Sequence, residues 1–185
     1  FYLDRDPKIC AQMHCDKHVV KMIIEYAQLM STAHRVLDGE QYTDLTAAGR
    51  RIQRWRMFDD RENQLMKASH VNHPSGVWCR DNDSNYQWLY TMWKHLCEEY
   101  THRYGKVHAC ARLDWLLSLT PDNIKTGEFY PPTPAMPQEL KLLAEIPVPG
   151  RKYDSLKSYH NYYIQAKASF AKWKNRNIPD WFVTT

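Results

Sequence analysis

Glycine is scarce in this chain, six in 185 residues. None of the six builds the phosphate-cradling loop G-x-x-x-x-G-K, which argues against nucleotide hydrolysis by that device. There is no C-x-x-C pair, no H-E-x-x-H and no G-x-S-x-G, so the common zinc and serine-nucleophile signatures are missing. No apolar run approaches the length of a membrane span and no signal-peptide pattern is present, so no membrane partner is expected. The five cysteines (10, 15, 79, 97, 110) have no regular spacing. They read as reduced thiols of a cytoplasmic protein, in the host-cell cytoplasm if the protein is viral. The chain opens on Phe1 without a methionine, so its natural start is expected upstream.

Aromatic side chains, by contrast, are abundant, with seven Trp and twelve Tyr. Large rings fill cores, and they also offer platforms on which unpaired bases stack. A net charge of +4 and an isoelectric point near 8.7 permit a polyanionic partner without requiring one. The length suits one good hydrophobic core, so a single domain over 1–185 is expected.

Asp6-Pro7 is a helix-start signal. It predicts a helix, kinked near Cys15, that runs to about Leu37 and stops at Asp38-Gly39. Residues 40–66 are less regular, with a basic segment from Arg50 to Arg56 followed by acidic Asp59, Asp60 and Glu62. They are expected to be a helical insertion or exposed excursion. Residues 67–80, broken by Pro74 and Gly76, are expected to be a loop. A second long helix is predicted from Asp83 or Ser84 to Gly105, with Trp88, Met92, Leu96 and Tyr100 as a core stripe backed by Leu89, Trp93 and Cys97. Val107–Leu119 is expected to be a third helix. Residues 120–152 hold most of the ten prolines and are expected to be loop, with one helical turn around Gln138–Ala144. A last helix over Asp154–Asn175 is expected to carry Tyr159, Tyr162, Tyr163, Phe170 and Trp173, with lysines between them. The fold expected is mainly α, a single-domain bundle around one buried long helix.

That helix carries the chemistry. At about 100° per residue, His14, His18, Lys21, Glu25, Gln28 and Thr32 fall within an arc of roughly 80°. Val19, Val20, Met22, Ile23, Ile24, Ala27, Leu29 and Met30 occupy most of the rest. A surface helix has the opposite proportions, so this one is expected to be buried on most sides, with a strip of titratable groups facing a cleft. A carboxylate, two imidazoles and an amine are the parts of acid/base chemistry; an i,i+4 salt bridge between Lys21 and Glu25 on a solvated face is the plainer alternative. His14 and His18, four apart, could share a metal ion with His70 and His73, although no second clear cluster supports it. An amine and a carboxylate together also suit nucleic-acid chemistry. A deprotonated amine attacks an anomeric carbon as the base leaves, and a carboxylate stabilises the sugar cation. Lys17 and Lys21 are the available amines, Glu25 the carboxylate and His18 the orienting partner.

Two resemblances meet on this strip. Asp16-Lys17-x-Val19-Val20-Lys21-Met22 with Glu25, then Asn72-His73-Pro74, Val77-Trp78, Asn85-Tyr86-x-Trp88-Leu89 and Glu99-Tyr100-Thr101-x-Arg103-Tyr104-Gly105-Lys106, resembles a poorly characterised family of small phage proteins. The chain departs from it at Cys15 and His18, where Asp and Arg are more usual, and 40–66 looks inserted. Secondly, Asp16-x-His18-Val19 with Glu25 seven residues after the histidine is similar to the phage pyrimidine-dimer DNA glycosylases of the endonuclease V type. That resemblance implies an all-α fold, base flipping, an N-terminal α-amine as nucleophile, Glu25 as the catalytic carboxylate with His18 beside it, and His73 in a facing loop. The arginines that usually flank that glutamate are replaced here by Ile24 and Gln28.

The expectation is therefore a monomeric, cofactor-free phage or phage-like enzyme on DNA, a base-excising repair glycosylase with or without lyase activity. Its catalytic groups are Glu25, His18, Lys21 and Lys17. His14, Gln28, His70, Asn72, His73, Trp78 and Arg80 bind substrate, and Lys167, Lys172, Lys174 and Arg176 neutralise DNA phosphates. The alternatives are a metal-dependent enzyme on nucleotides or modified bases, and a non-catalytic module that binds nucleic acid or a host protein.

Overall fold

Asp6 starts the first helix as its sequence signals. In a computed structural model that describes residues 1–183, its carboxylate accepts the N–H groups of Lys8 and Ile9, opening α1 (Pro7–Met13). The chain then breaks at His14 and Cys15, both extended, and α2 (Asp16–Asp38) begins afresh. No glycine or proline makes this break. Tertiary partners do: the His14 imidazole turns back to the Cys10 carbonyl, and the Asp16 N–H donates to the Lys172 carbonyl at 2.8 Å. At Gly39 the chain doubles back so tightly that a Cβ would lie 2.5 Å from the Arg35 carbonyl oxygen and 2.8 Å from that of Arg56. Only glycine fits there.

Residues 40–56 are not helical. They form an antiparallel ribbon, β1 (Glu40–Leu45) and β2 (Arg51–Arg56), in register from Glu40 opposite Arg56 to Leu45 opposite Arg51. Gly49, at φ 73°, closes its turn. A short helix, α3 (Arg61–Gln64), follows. The buried Arg35 of α2 ties this excursion down. Its five N–H groups reach the carbonyls of Trp55, Glu62, Leu65 and Met66 and the Glu62 carboxylate.

The expected loop at 67–80 is half helix. His73 caps α4 (Pro74–Asp81) by accepting the Ser75 N–H, with Pro74 in the first turn. Asn82 caps α5 (Asp83–Tyr104), and Gly105 ends it in the left-handed region at φ 67°. Leu89, Met92, Trp93 and Leu96 are buried as predicted, whereas Trp88, Cys97 and Tyr100 are only half-buried. Trp93 donates its indole N–H to the Ile23 carbonyl at 2.9 Å, locking α5 onto α2.

The remaining elements are shorter than expected. Val107–Leu119 is a 3-10 stretch (Ala109–Leu113) and one turn, α6 (Asp114–Leu117), because His108 caps the tighter helix by accepting the Cys110 N–H. The Pro-rich region holds a 3-10 turn (Gln138–Leu140) and a second hairpin, β3 (Leu143–Val148) and β4 (Arg151–Tyr153). The last helix, α7 (Ser155–Ala166), stops well before Asn175. Beyond it the Lys172 carbonyl and the Lys174 N–H both bond to Asp16, which draws the chain off the helical path. The fold is thus helical with two small antiparallel sheets rather than all-α. Among the described residues no helix is long and apolar enough to cross a membrane.

One buried ion network holds three of these segments together. Glu99, 3% exposed, accepts from Arg103 at 2.8 Å and from Arg176 at 2.9 Å. Arg103 extends to Asp16 at 2.9 Å and to the Gln12 carbonyl at 2.8 Å. Burial pushes the Glu99 carboxyl up, but the hydrogen bonds from Arg176 and Arg103 outweigh it and hold the group below its ordinary value of 4.5. Its stabilisation is therefore present above about pH 4.5 and lost as the pH falls through the lowered value. Glu99→Gln is expected to cost about 3 kcal/mol in chemical denaturation at pH 7, because buried Arg103 and half-buried Arg176 lose the charge they share, leaving Arg103 only Asp16. It should also flatten the acid limb of the stability curve; an unchanged limb contradicts the assignment.

Candidate functional site

The polar strip of α2 forms the floor of a cleft of about 560 Å³. His18, Lys21, Glu25 and Gln28 line it, spaced three and four apart as one helix face requires. Ser69, His70, His73 and Ser75 form a second wall, from the turn before α4 and its first residues. Tyr159 and Tyr162 of α7, with Lys167 just beyond it, form a third; Phe1, Ala135 and apolar or aromatic residues of α2, Tyr26 among them, also line it. The expectation that the histidine loop faces the same cleft as His18 agrees with this geometry.

The two imidazoles of the strip differ from what the helical arc suggests. His14 is not on α2 at all; it ends α1 and is fully buried. Its Nδ1 faces the Cys10 carbonyl and its Nε2 the Tyr26 hydroxyl, each at 2.8 Å. With both nitrogens engaged it is free neither to bind substrate nor to ligate a metal. His18, 6% exposed, has its Nδ1 2.6 Å from the Tyr163 hydroxyl and its ring stacked on Phe1 at 4.2 Å. Burial, reinforced by the positive charges of the Phe1 amino group, Lys167 and Lys21, pulls its pKa down to about 3. His18 is thus a neutral, oriented ring at ordinary pH.

Glu25 and Lys21 form the i,i+4 ion pair of the plainer reading, at 3.0 Å, with side chains 47% and 70% exposed. Glu25 is open to solvent, and neighbouring Ile24 is itself exposed. Lys17 does not line the cleft; its ammonium sits 4.7 Å over the Phe170 ring. Gln28 spends its amide N–H on the Lys67 carbonyl, so it positions the adjoining wall. His70 sits at φ 48°, a left-handed conformation unusual for a non-glycine residue, with Nδ1 2.7 Å from the Ser69 hydroxyl.

Six other expected binding groups lie elsewhere. Trp78 is core, packed on Trp88 and Phe129 and donating to the Tyr130 carbonyl. Asn72 is exposed and Arg80 half-buried, and neither lines the cleft. Arg176 has its charge taken by Glu99. Lys172 and Lys174 are exposed and lie past α7 rather than on it. Lys167 belongs to the cleft, its ammonium 4.5 Å over the Tyr162 ring. Tyr162, which carried no site role in the sequence, also lines the cleft; its place three residues from Tyr159 on one face of α7 was the available signal.

Among the described residues no group of three or more His, Cys, Asp and Glu side chains is arranged to hold a metal ion. With His14 fully engaged, the expected four-histidine set does not form. A larger groove, about 690 Å³, runs between the second hairpin and the Pro131–Pro134 segment. It carries Arg5, Arg151 and Lys152, but no imidazole and no carboxylate paired with an amine. Of these two, the smaller cleft is the one that sets a carboxylate–amine pair beside an imidazole. In comparisons with family models, curated proteins and solved structures, the chain matches none.

His14 and His18 are both expected to stay neutral across the physiological range. Burial holds His14 well below its ordinary 6.5, as it does His18. Neutral burial stabilises the fold fully above about pH 6.5, and the contribution shrinks as the pH falls toward the lowered values. In an NMR titration their ring-proton signals should not move between pH 8 and pH 5. A midpoint near 6.5 for His18 contradicts the packing described.

Proposed function

We propose that this protein acts on DNA as a base-excising glycosylase with Glu25 as its essential carboxylate. The supporting observation is the Glu25–Lys21 pair on the floor of an aromatic-walled cleft that also holds a neutral histidine. The cleft volume lies within the usual range for a small ligand, and half-buried Phe1 and Tyr162 on its walls offer ring surface for one extruded nucleotide. Lys21 and Lys167 supply positive charge toward the flanking phosphates. The resemblance to the phage dimer glycosylases points to the same glutamate.

In this mechanism the bond between the base and the sugar breaks, and the electron pair leaves with the base. The Glu25 carboxylate stabilises the cation left on the sugar. Lys21 gives a proton to Glu25, which passes it to the departing base, and the freed amine attacks the anomeric carbon. The iminium formed on ring opening then permits phosphate elimination, which is the lyase step. If water attacks instead, the base is released without strand cleavage. Neutral His18, fixed by Tyr163, orients the nucleotide.

The exposure of the Lys21–Glu25 pair favours one second reading, a surface that binds nucleic acid without chemistry. Incubation with a panel of damaged oligonucleotides, with and without borohydride, separates the two. Glycosylase and lyase activity gives a trapped covalent complex. Glu25→Gln is expected to abolish base release while changing stability by less than about 1 kcal/mol, since an exposed pair contributes little. Lys21→Ala should lose trapping. Undiminished turnover by Glu25→Gln rejects the mechanism.

The exposed lysines past α7, Lys172 and Lys174, are proposed phosphate contacts. A Lys172→Ala/Lys174→Ala variant is expected to reduce the slope of log K against log salt by about two without loss of fold. Arg176→Ala should instead lower the unfolding midpoint, because it strips Glu99 of a partner. Equal effects of the two variants on salt dependence contradict this division of roles.

A further inference from the structure

The arginine-rich segment 50–56 has no part in the cleft, and its placement asks for a partner. In an antiparallel ribbon successive side chains alternate between two faces. Gln41, Thr43, Leu45, Arg51, Gln53 and Trp55 share one face, exposed apart from half-buried Trp55. Both carboxylates of the ribbon, Glu40 and Asp44, fall on the other face, together with Arg54 and Arg56. The exposed face is therefore free of acid. It presents Arg51, with Arg50 beside it at the turn, and a row of amide and hydroxyl groups.

That row is ordered. Gln41 donates to the Gln53 side-chain oxygen at 3.3 Å, and Gln53 donates to the Thr43 hydroxyl at 3.2 Å. The turn is also well formed, with the Thr46 N–H on the Arg50 carbonyl and the Gly49 N–H on the Thr46 carbonyl. The ribbon stands next to the cleft. Arg54 donates to the Ala68 carbonyl at 2.8 Å, one residue before the Ser69 and His70 that line it. Arg35 fixes the other end by donating to the Trp55 carbonyl at 3.0 Å.

We propose that the β1–β2 ribbon is a duplex-binding arm that lays its Arg51–Gln53 face into a groove of DNA beside the cleft. Two strands about 4.8 Å apart fit a major groove about 12 Å wide. Six residues a strand reach about 20 Å, so the turn extends past the groove edge toward the phosphates. Arg50 and Arg51 meet the backbone there, and the amides of Gln41 and Gln53 face base edges. Leu45, 63% exposed at the tip of the same face, is placed for apolar contact with a thymine methyl group. An acidic protein partner would equally meet the arginines, but the ordered amide row favours the donor and acceptor edges of bases. This inference rests on the DNA-directed reading of the cleft and adds the element that holds the duplex there.

The test measures affinity for an undamaged 20-mer duplex and its single strand by fluorescence anisotropy. It compares the full chain with Arg50→Ala/Arg51→Ala and with Gln53→Glu, which puts one carboxylate on the face. Each variant should keep the parent thermal midpoint, because all three side chains are exposed. Duplex affinity is expected to fall about tenfold or more in each, and the double variant should lose about two from the salt slope. Duplex affinity unchanged in both variants overturns the inference. So does ribbon-dependent self-association at unchanged DNA affinity, and so does an equal loss on single strand and duplex. The failures are separable. Base excision by a protein whose ribbon variants bind normally removes the arm and leaves the glycosylase reading. Ribbon-dependent duplex binding with no excision of any tested base removes the glycosylase reading and leaves the arm.

Discussion

A buried carboxylate between two guanidinium groups sets the frame on which the rest of this protein depends. Glu99 and Arg103 lie one turn apart on α5, and alone they would make an ordinary helical pair. Arg176 from the C-terminal segment and Asp16 from the start of α2 turn that pair into a junction of three chain segments. Charges buried as deeply as Glu99 and Arg103 are costly unless matched, and here each has a partner, with half-buried Asp16 and Arg176 completing the set. The junction has consequences for the cleft. By binding the Lys174 N–H, Asp16 helps bring the C-terminal segment to the N-terminus of α2, where α1 ends and α2 begins. That break removes His14 from the strip and leaves His18 as its first member.

The cleft then combines a dry end and a wet end. His18 and Tyr163 sit at the dry end, where burial keeps the imidazole neutral. Lys21 and Glu25 sit in water in the free protein, so their mutual attraction is weak. A docked polyanion would exclude that water and strengthen every charge interaction in the cleft. On the proposed function, binding and chemistry are therefore coupled: the substrate itself supplies the low dielectric that the protein does not.

Where capping chemistry is local, the sequence was legible. Asp6-Pro7, the end of α2 at Gly39 and the left-handed Gly105 behaved as read, because each depends on two or three neighbouring residues. The 40–56 ribbon was not legible. Two short strands have little stability alone, and what holds them is Arg35, a buried arginine beside the polar strip of α2 whose partners lie twenty or more residues along the chain. Helix α4 was hidden for a related reason: His73 serves as its cap, a role usually filled by Ser, Thr, Asp or Asn. The C-terminal lysines were misplaced because helical propensity continues past Ala166, whereas the pull of Asp16 on the backbone is invisible in any local window.

The sequence by itself determined the spacing of His18, Lys21, Glu25 and Gln28, since helix geometry puts them on one face whatever surrounds them. It also determined the buried part of the α5 stripe, Leu89, Met92, Trp93 and Leu96, through the same periodicity. Only the tertiary structure decided which of those groups would be charged, paired or dry. Protonation, metal-ligating capacity and access depend on the distance to residues far along the chain, such as Tyr163 for His18 and Tyr26 for His14. Those distances follow from how the core closes, and periodicity carries no information about them.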